Sequence, residues 1–335
     1  MRTRFTDAFG LTTPIAQAGM AFVGMTPDLA VAVGNAGALG SLGVGLMPAP
    51  ALTATIAAIR SGTDGPLNVN FITTFTGDEQ IDAACAAGVE VASFHWGHPP
   101  QAWIDRLHAA GVKVFEQVGS VDAARAAVDG GADAVVAQGQ EAGGHNASTL
   151  PLFALLPLVA DAVGERALVL AAGGIADGRG LAAALLLGAD GAWVGTRLVA
   201  TVESAAHDGY KQRLVLAAAE DTERTSLFGP ETPQFNPMRV LRNRVVREWA
   251  GRTDDIPDSP LPVIGETVLG GRRMPMHRFS NLVPMRDATT GDLEEMALLS
   301  GQGVGLVHDI RPAADVIASM TAEAEKLLGG AWSAR

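Results

Sequence analysis

From Pro14 to Val194 the sequence alternates short, nearly continuous apolar runs with longer Ala-rich stretches of helical spacing. Eight runs read as strands: Pro14–Ala18, Ala38–Leu42, Leu67–Phe71, Val89–Phe94, Lys113–Gln117, Ala134–Gln138, Ala167–Ala171 and Gly191–Val194. Seven stretches between them read as helices: Asp28–Asn35, Pro50–Arg60, Gly77–Ala87, Pro100–Ala110, Ser120–Gly130, Leu150–Val163 and Arg179–Leu187. A strand that is apolar at nearly every position needs cover on both faces, as in a parallel sheet. Ser120 and Asp177 stand where N-caps are expected, and Gly111 and Gly188 where helices end. This alternation predicts an α/β protein of the TIM (β/α)8 barrel type, with an open doubly wound sheet as the competing arrangement.

The pattern changes after Thr196. Charge and proline increase from about Val202 to Ser300, with helical patches at Tyr210–Ala219 and Arg239–Trp249. A strand-like run at Val304–Ile310 and an amphipathic stretch at Ala313–Leu328 follow. The economical account is a helical lid, residues 202–300, inserted after the eighth strand. The barrel then consists of residues 1–201 and 301–335, its closing helix delayed to Ala313–Leu328.

Composition narrows the function. The chain has 335 residues, with 36 acidic against 24 Lys and Arg, a net charge of −12. Its only lysines are Lys113, Lys211 and Lys326, so no basic run is available for nucleic acid or an anionic membrane, and neither is expected as a partner. Leu29–Ile59 carries no charge, but glycines and prolines interrupt it well short of the ~20 continuous apolar residues of a spanning helix. Cys85 is the single cysteine, which leaves no intrachain disulfide or thiolate metal cluster; in its Ala-rich setting it is expected to be buried and inert. Arg2 and Arg4 precede Asp7 and Thr12–Thr13 rather than an apolar core, so no signal peptide is expected and the cytoplasm is the expected location.

In such a barrel the chemistry sits at the C-terminal ends of the strands. The first strand ends in Gln17-Ala18-Gly19-Met20, the third in Asn68-Val69-Asn70, and the fourth in Ser93-Phe94-His95-Trp96. Gln117 closes the fifth, and the sixth runs into Gln138-Gly139-Gln140-Glu141-Ala142-Gly143-Gly144-His145. Asn70, Gln117 and Gln138 are neutral donors and acceptors suited to an uncharged heteroaromatic ring, or to tying loops together. Gly173-Gly174 after the seventh strand and Gly195-Thr196 after the eighth, which carries Trp193-Val194, occupy the usual barrel phosphate position. His145 lies in a glycine loop rather than on an apolar face, and a neutral imidazole can take up and return a proton. His95, Trp96 and His98 line or shape the mouth. No histidine pattern has metal-ligand spacing, so no metal is expected, and no Gly-x-Ser-x-Gly elbow occurs.

Gln138–His145 (QGQEAGGH), Ser93–Gly97 (SFHWG), Ala171–Ile175 (AAGGI) and Val194–Thr196 (VGT) together resemble the nitronate monooxygenase family, formerly the 2-nitropropane dioxygenases. Met238–Arg244 (MRVLRNR) and Gly301–Leu306 (GQGVGL) resemble later blocks of the same family. The resemblance implies a TIM barrel holding non-covalent FMN, and a small-molecule substrate oxidised by dioxygen: an alkyl nitronate converted to a carbonyl compound and nitrite. It implies a catalytic base at His145 and FMN contacts at Asn70, Gln138, Gly143, Gly174 and Trp193–Thr196. Gly19, Met20, Gln117, Gly144 and Gly173 join that expected cofactor set, with His95 and Trp96 as substrate pocket. One departure is Asn146-Ala147-Ser148, where the family often continues with a basic residue and glycine. Flavin-dependent enoyl-thioester and NAD(P)H:quinone reductases use the same fold and a similar Gly-Gly-His loop, and a non-redox barrel binding a phosphorylated ligand is the alternative of another class. The physiological substrate and the oligomeric state stay open.

Overall fold

The computed structural model describes residues 1–230, 232–257 and 260–329. Eight parallel strands form one sheet: β1 (Ile15–Gln17), β2 (Gly40–Gly43), β3 (Leu67–Ile72), β4 (Val91–His95), β5 (Lys113–Val118), β6 (Ala134–Gln138), β7 (Leu168–Ala172) and β8 (Gly191–Val194). They pair in the order β1-β8-β7-β6-β5-β4-β3-β2. The two ends meet where the Gln17 amide donates to the Leu39 carbonyl at 2.9 Å and the Leu39 amide to Ile15 at 3.0 Å, which closes the barrel and removes the open-sheet alternative.

Alternate side chains separate two cores. Ala16, Leu39, Val91, Phe115, Val136, Leu170 and Trp193 fill the barrel interior. Their neighbours Val135, Ala137, Val169, Ala171, Ala192 and Val194 face the helices. The helix Arg4–Phe9, which the sequence pattern did not signal, plugs the lower end. Phe5 is fully buried, and Phe5 and Phe9 lie 6.5 and 5.7 Å from the Phe115 ring. Each such aromatic pair contributes about 0.5–1.5 kcal/mol beyond its buried area.

The helices start and stop for local reasons. Ser120 Oγ accepts the Ala123 amide at 3.2 Å and Asp177 Oδ1 the Gly180 amide at 3.0 Å, so both expected caps form. The last helix, Ala313–Gly329, packs against Gly178–Leu186 and Pro27–Asn35 and completes the outer ring. Among the described residues no helix is long and apolar enough to cross a membrane.

The segment after β8 holds strands as well as helices. The expected helix at Tyr210–Ala219 is found as Asp208–Leu216. Arg239–Trp249, expected to be helical throughout, divides into a strand, Met238–Leu241, and a helix, Arg244–Trp249. That strand is claimed on both edges, by Thr222–Thr225 and by Gly144–His145. The run Val304–Ile310, expected to be a strand, instead begins in a 3-10 turn, Gln302–Leu306, and continues outside any strand, with Gly303 and Gly305 set against the backbone of Gly174 and Ala219. A further antiparallel sheet joins Val263–Leu269 to Arg272–His277 and to Thr289–Gly291.

Candidate active site

The sequence-predicted residues lie along one rim of the barrel, in two groups. The first surrounds His145. The two-residue strand Gly144–His145 pairs antiparallel with Met238–Leu241, so the insertion holds the histidine backbone. The Trp96 ring meets the His145 ring edge-on, centroids 4.4 Å apart at 88°, and the His95 ring lies 5.0 Å from Trp96. Gln117 Nε2 donates to His95 Nδ1 at 3.0 Å, and Gln138 Nε2 to the His145 carbonyl at 3.4 Å. His95, Trp96, Gln117, Gln138 and His145 are therefore brought together. His98 is not: its Nδ1 lies 2.9 Å from the buried Glu116 carboxylate, away from this group.

Two aromatics were not singled out in the sequence. Phe235, from the insertion, stacks on Trp96 at 4.2 Å and 18°. Phe75, from the 3-10 turn after β3, lies 5.4 Å from Phe235 and 6.4 Å from Trp96. Trp96 has φ +65°, a left-handed conformation that a bulky side chain adopts only under constraint. Thr73 supplies the constraint, with Oγ1 3.1 Å from the His95 carbonyl oxygen and 3.0 Å from that of Gly97. No local pattern announces Phe235, whose contact depends on how a Pro-rich segment folds back.

Burial controls the protonation of both histidines. Desolvation pushes the His145 imidazole down to about 4, and desolvation together with neighbouring His145 pushes His95 down to about 3. Both rings are neutral at pH 7, so His145 can accept a proton there.

The second group is a cradle of glycines. Gly19 packs so closely that an added Cβ would fall 2.0 Å from Asn70 Cγ, while Asn70 Nδ2 donates to Ser93 Oγ at 2.8 Å. The Met20 carbonyl lies against Gly43. Gly143 faces the Gly301 amide and Gly173 the Ala142 amide, and Thr196 Oγ1 accepts the Gly301 amide at 2.9 Å. Gly174 (φ +70°) and Gly195 differ from these: a Cβ on either would meet nothing closer than 3.8 and 3.7 Å. These two positions, at neighbouring strand ends, would make only ordinary contacts with an added Cβ, and backbone presented in this way would suit the phosphate of a flat-ringed cofactor. Trp193 points into the barrel core and Val194 toward the helices, so these two are expected to offer their main chain rather than their side chains to a ligand.

The nitronate monooxygenase family model matches residues 2–78 and 71–323. The chain belongs to the nitronate monooxygenase family. It is thereby a flavin-dependent oxidoreductase with FMN as cofactor. A probable nitronate monooxygenase of Staphylococcus saprophyticus is 31% identical across 92% of this chain and 94% of its own. A 5-hydroxy-7a-methyl-1-oxo-octahydro-1H-indene-4-carboxyl-CoA dehydrogenase of Mycobacterium tuberculosis is 38% identical over 74% of this chain and 68% of its own. Among solved structures, FabK from Thermotoga maritima aligns with a TM-score of 0.81 at 35% identity, covering 98% of each chain. A nitroalkane oxidase from Streptomyces ansochromogenes aligns at 0.78 and 28%, covering 97% of this chain and 99% of that one.

Proposed function

We propose that the chain oxidises alkyl nitronates, and nitroalkanes after deprotonation, with dioxygen to a carbonyl compound and nitrite. The observation that carries this reading is the neutral His145 imidazole in edge contact with Trp96, under an apolar cover of Phe235 and Phe75. Such a niche suits a small aliphatic substrate and gives it one base. His145 takes the α-proton of a neutral nitroalkane; a nitronate arrives without that proton. The aromatic stack shields one side of the half-buried imidazole from water and favours its neutral form. Gly174, Gly195 and Thr196 would hold the FMN phosphate, and Gly19, Met20, Asn70, Gln138 and Gly143 would flank its ring and ribityl chain, with Gln117 reaching it through His95. FMN supplies the electron transfer between substrate and oxygen.

A second reading, an NAD(P)H-dependent reductase acting on a thioester or a quinone, is favoured by the 38% identity to a carboxyl-CoA dehydrogenase. Anaerobic mixing separates the two. Bleaching of the flavin by a nitronate such as ethyl nitronate, followed by nitrite release in air, supports the first. Rapid bleaching by NADH or NADPH with no response to nitronate replaces it with the second. Soluble expression in the cytoplasm with FMN bound is expected under either.

A further inference from the structure

The residues after His145 are a departure from the family pattern, and the structure gives Asn146 a specific occupation. Asn146 is buried to 1% exposure with all its polar atoms engaged. Its Nδ2 donates to the carbonyls of Gly139 (2.9 Å) and Ala142 (3.3 Å), and its Oδ1 accepts the Ser148 amide (2.9 Å). Its own amide donates to the Pro237 carbonyl at 3.0 Å, and its carbonyl accepts Arg224 Nη2 at 2.8 Å. Elsewhere in the loop Arg239 Nε donates to the Gln140 carbonyl at 3.1 Å and the Gln302 amide to Glu141 at 2.9 Å.

Arg224 and Arg239 face each other directly across the two inserted strands. Like charges so placed repel, and among the described residues neither guanidinium has a carboxylate within ion-pair distance. What they share is a carbonyl at opposite ends of the loop that carries His145, each bond strengthened by the charge of its donor. We propose that Asn146, Arg224 and Arg239 are positioning residues, which fix the backbone from Gly139 to Asn146 and so aim the His145 imidazole. This rests on the reading of His145 as the base.

The test uses FMN-loaded enzyme and two readouts. Asn146→Ala and Arg224→Ala are each expected to lower kcat for neutral nitroethane by ~10–10²-fold, the cost of a base displaced by about an ångström. KM stays within a few-fold, and ethyl nitronate turnover falls much less. Arg224→Lys, which keeps the charge but not the fork, should recover only part of the loss. In parallel, the His145 ring resonance, assigned by its loss in His145→Ala, should titrate higher in both alanine variants as water reaches the loosened loop. Arg224 is only half-buried, so its variants keep the test open if Asn146→Ala does not fold. Parallel losses on both substrates, or an unmoved His145 titration, would overturn the proposal. An unmodified enzyme inactive on both compounds would sink the nitronate reading alone, since the His145 titration still reports on the loop.

Discussion

The barrel strands and the inserted segment contribute to the same site on different foundations. Every residue of β6, from Ala134 to Gln138, is buried, and Gln138 emerges from a frame packed on both faces. In the insertion, Arg272–His277 exposes all but one residue, and it belongs to a different sheet from the strands that hold His145. The part of the insertion that meets the site is small: Met238–Leu241, Thr222–Thr225 and the turn carrying Phe235. The difference teaches that the barrel supplies rigid amides and the glycine cradle, whereas the insertion supplies position and cover for one histidine.

If that division holds, the largest single effect comes from the residue both regions serve. His145→Ala is expected to cost ~10²–10⁴-fold in kcat/KM with a neutral nitroalkane, the usual contribution of positioned proton transfer. The loss with the matching nitronate should be far smaller at equal flavin content. Nitrite formation from the two substrates, measured side by side, checks it; equal losses would make His145 a packing or binding residue.

Next comes the barrel's own contribution. A Cβ at Gly174 meets no atom closer than 3.8 Å, so a larger side chain intrudes on the space assigned to the phosphate more than on the protein. Its φ of +70° adds backbone strain of order 1–3 kcal/mol, which the large barrel core can tolerate. Gly174→Val and Gly195→Phe are expected to yield folded, largely colourless protein. Absorbance near the flavin bands together with circular dichroism decides the matter, and full flavin occupancy in both variants would place the phosphate elsewhere.

The insertion's cover gives a smaller effect. Phe235→Ala removes a stacked partner of Trp96, a loss of about 0.5–1.5 kcal/mol of stability beyond buried area, and by opening the cover over His145 it is expected to raise KM for a short-chain substrate. Bulkier nitronates should lose less or gain. A chain-length series that shifts as a whole, without changing its slope, would deny Phe235 a part in selectivity.

The same division explains what could be read from the sequence. Strands buried on both faces announce themselves: the run read as Leu67–Phe71 is observed as Leu67–Ile72, and Ala134–Gln138 as the same residues. The rim residues follow, because a polar amide at the end of an apolar run has few places to go but the mouth. The insertion was harder, since its elements are decided by distant partners. Met238–Leu241 is a strand because Thr222–Thr225 and Gly144–His145 flank it, and no local periodicity carries that information. His98 illustrates the same limit, because its partner Glu116 lies on β5 and diverts it from the site.

The smallest expected effect is the flatness of a pH profile. An imidazole of ordinary pKa near 6.5 is about nine-tenths protonated at pH 5.5, so a base of that kind would lose about tenfold in activity between pH 7.5 and 5.5. Burial against Trp96 holds His145 at about 4, where it stays unprotonated throughout that interval. Nitroethane oxidation should therefore change less than about twofold over the interval, with its acid limb near pH 4. Stability follows the same group with a definite sign. A histidine whose folded pKa is depressed binds its proton in the unfolded chain first, so stability is fully present above about 6.5 and is lost as pH falls toward about 4. His95, lowered to about 3, acts in the same direction over a wider window. Urea midpoints measured from pH 7.5 down to 4.5 should decline steadily, and the decline should lessen in His145→Phe, which keeps a ring against Trp96 and carries no proton. An acid limb near pH 6.5 in wild type, with an unchanged urea profile in the variant, would mean that the aromatic cover of the insertion does not keep water from His145. The division between barrel and insertion would then have to be redrawn around the glycine cradle alone.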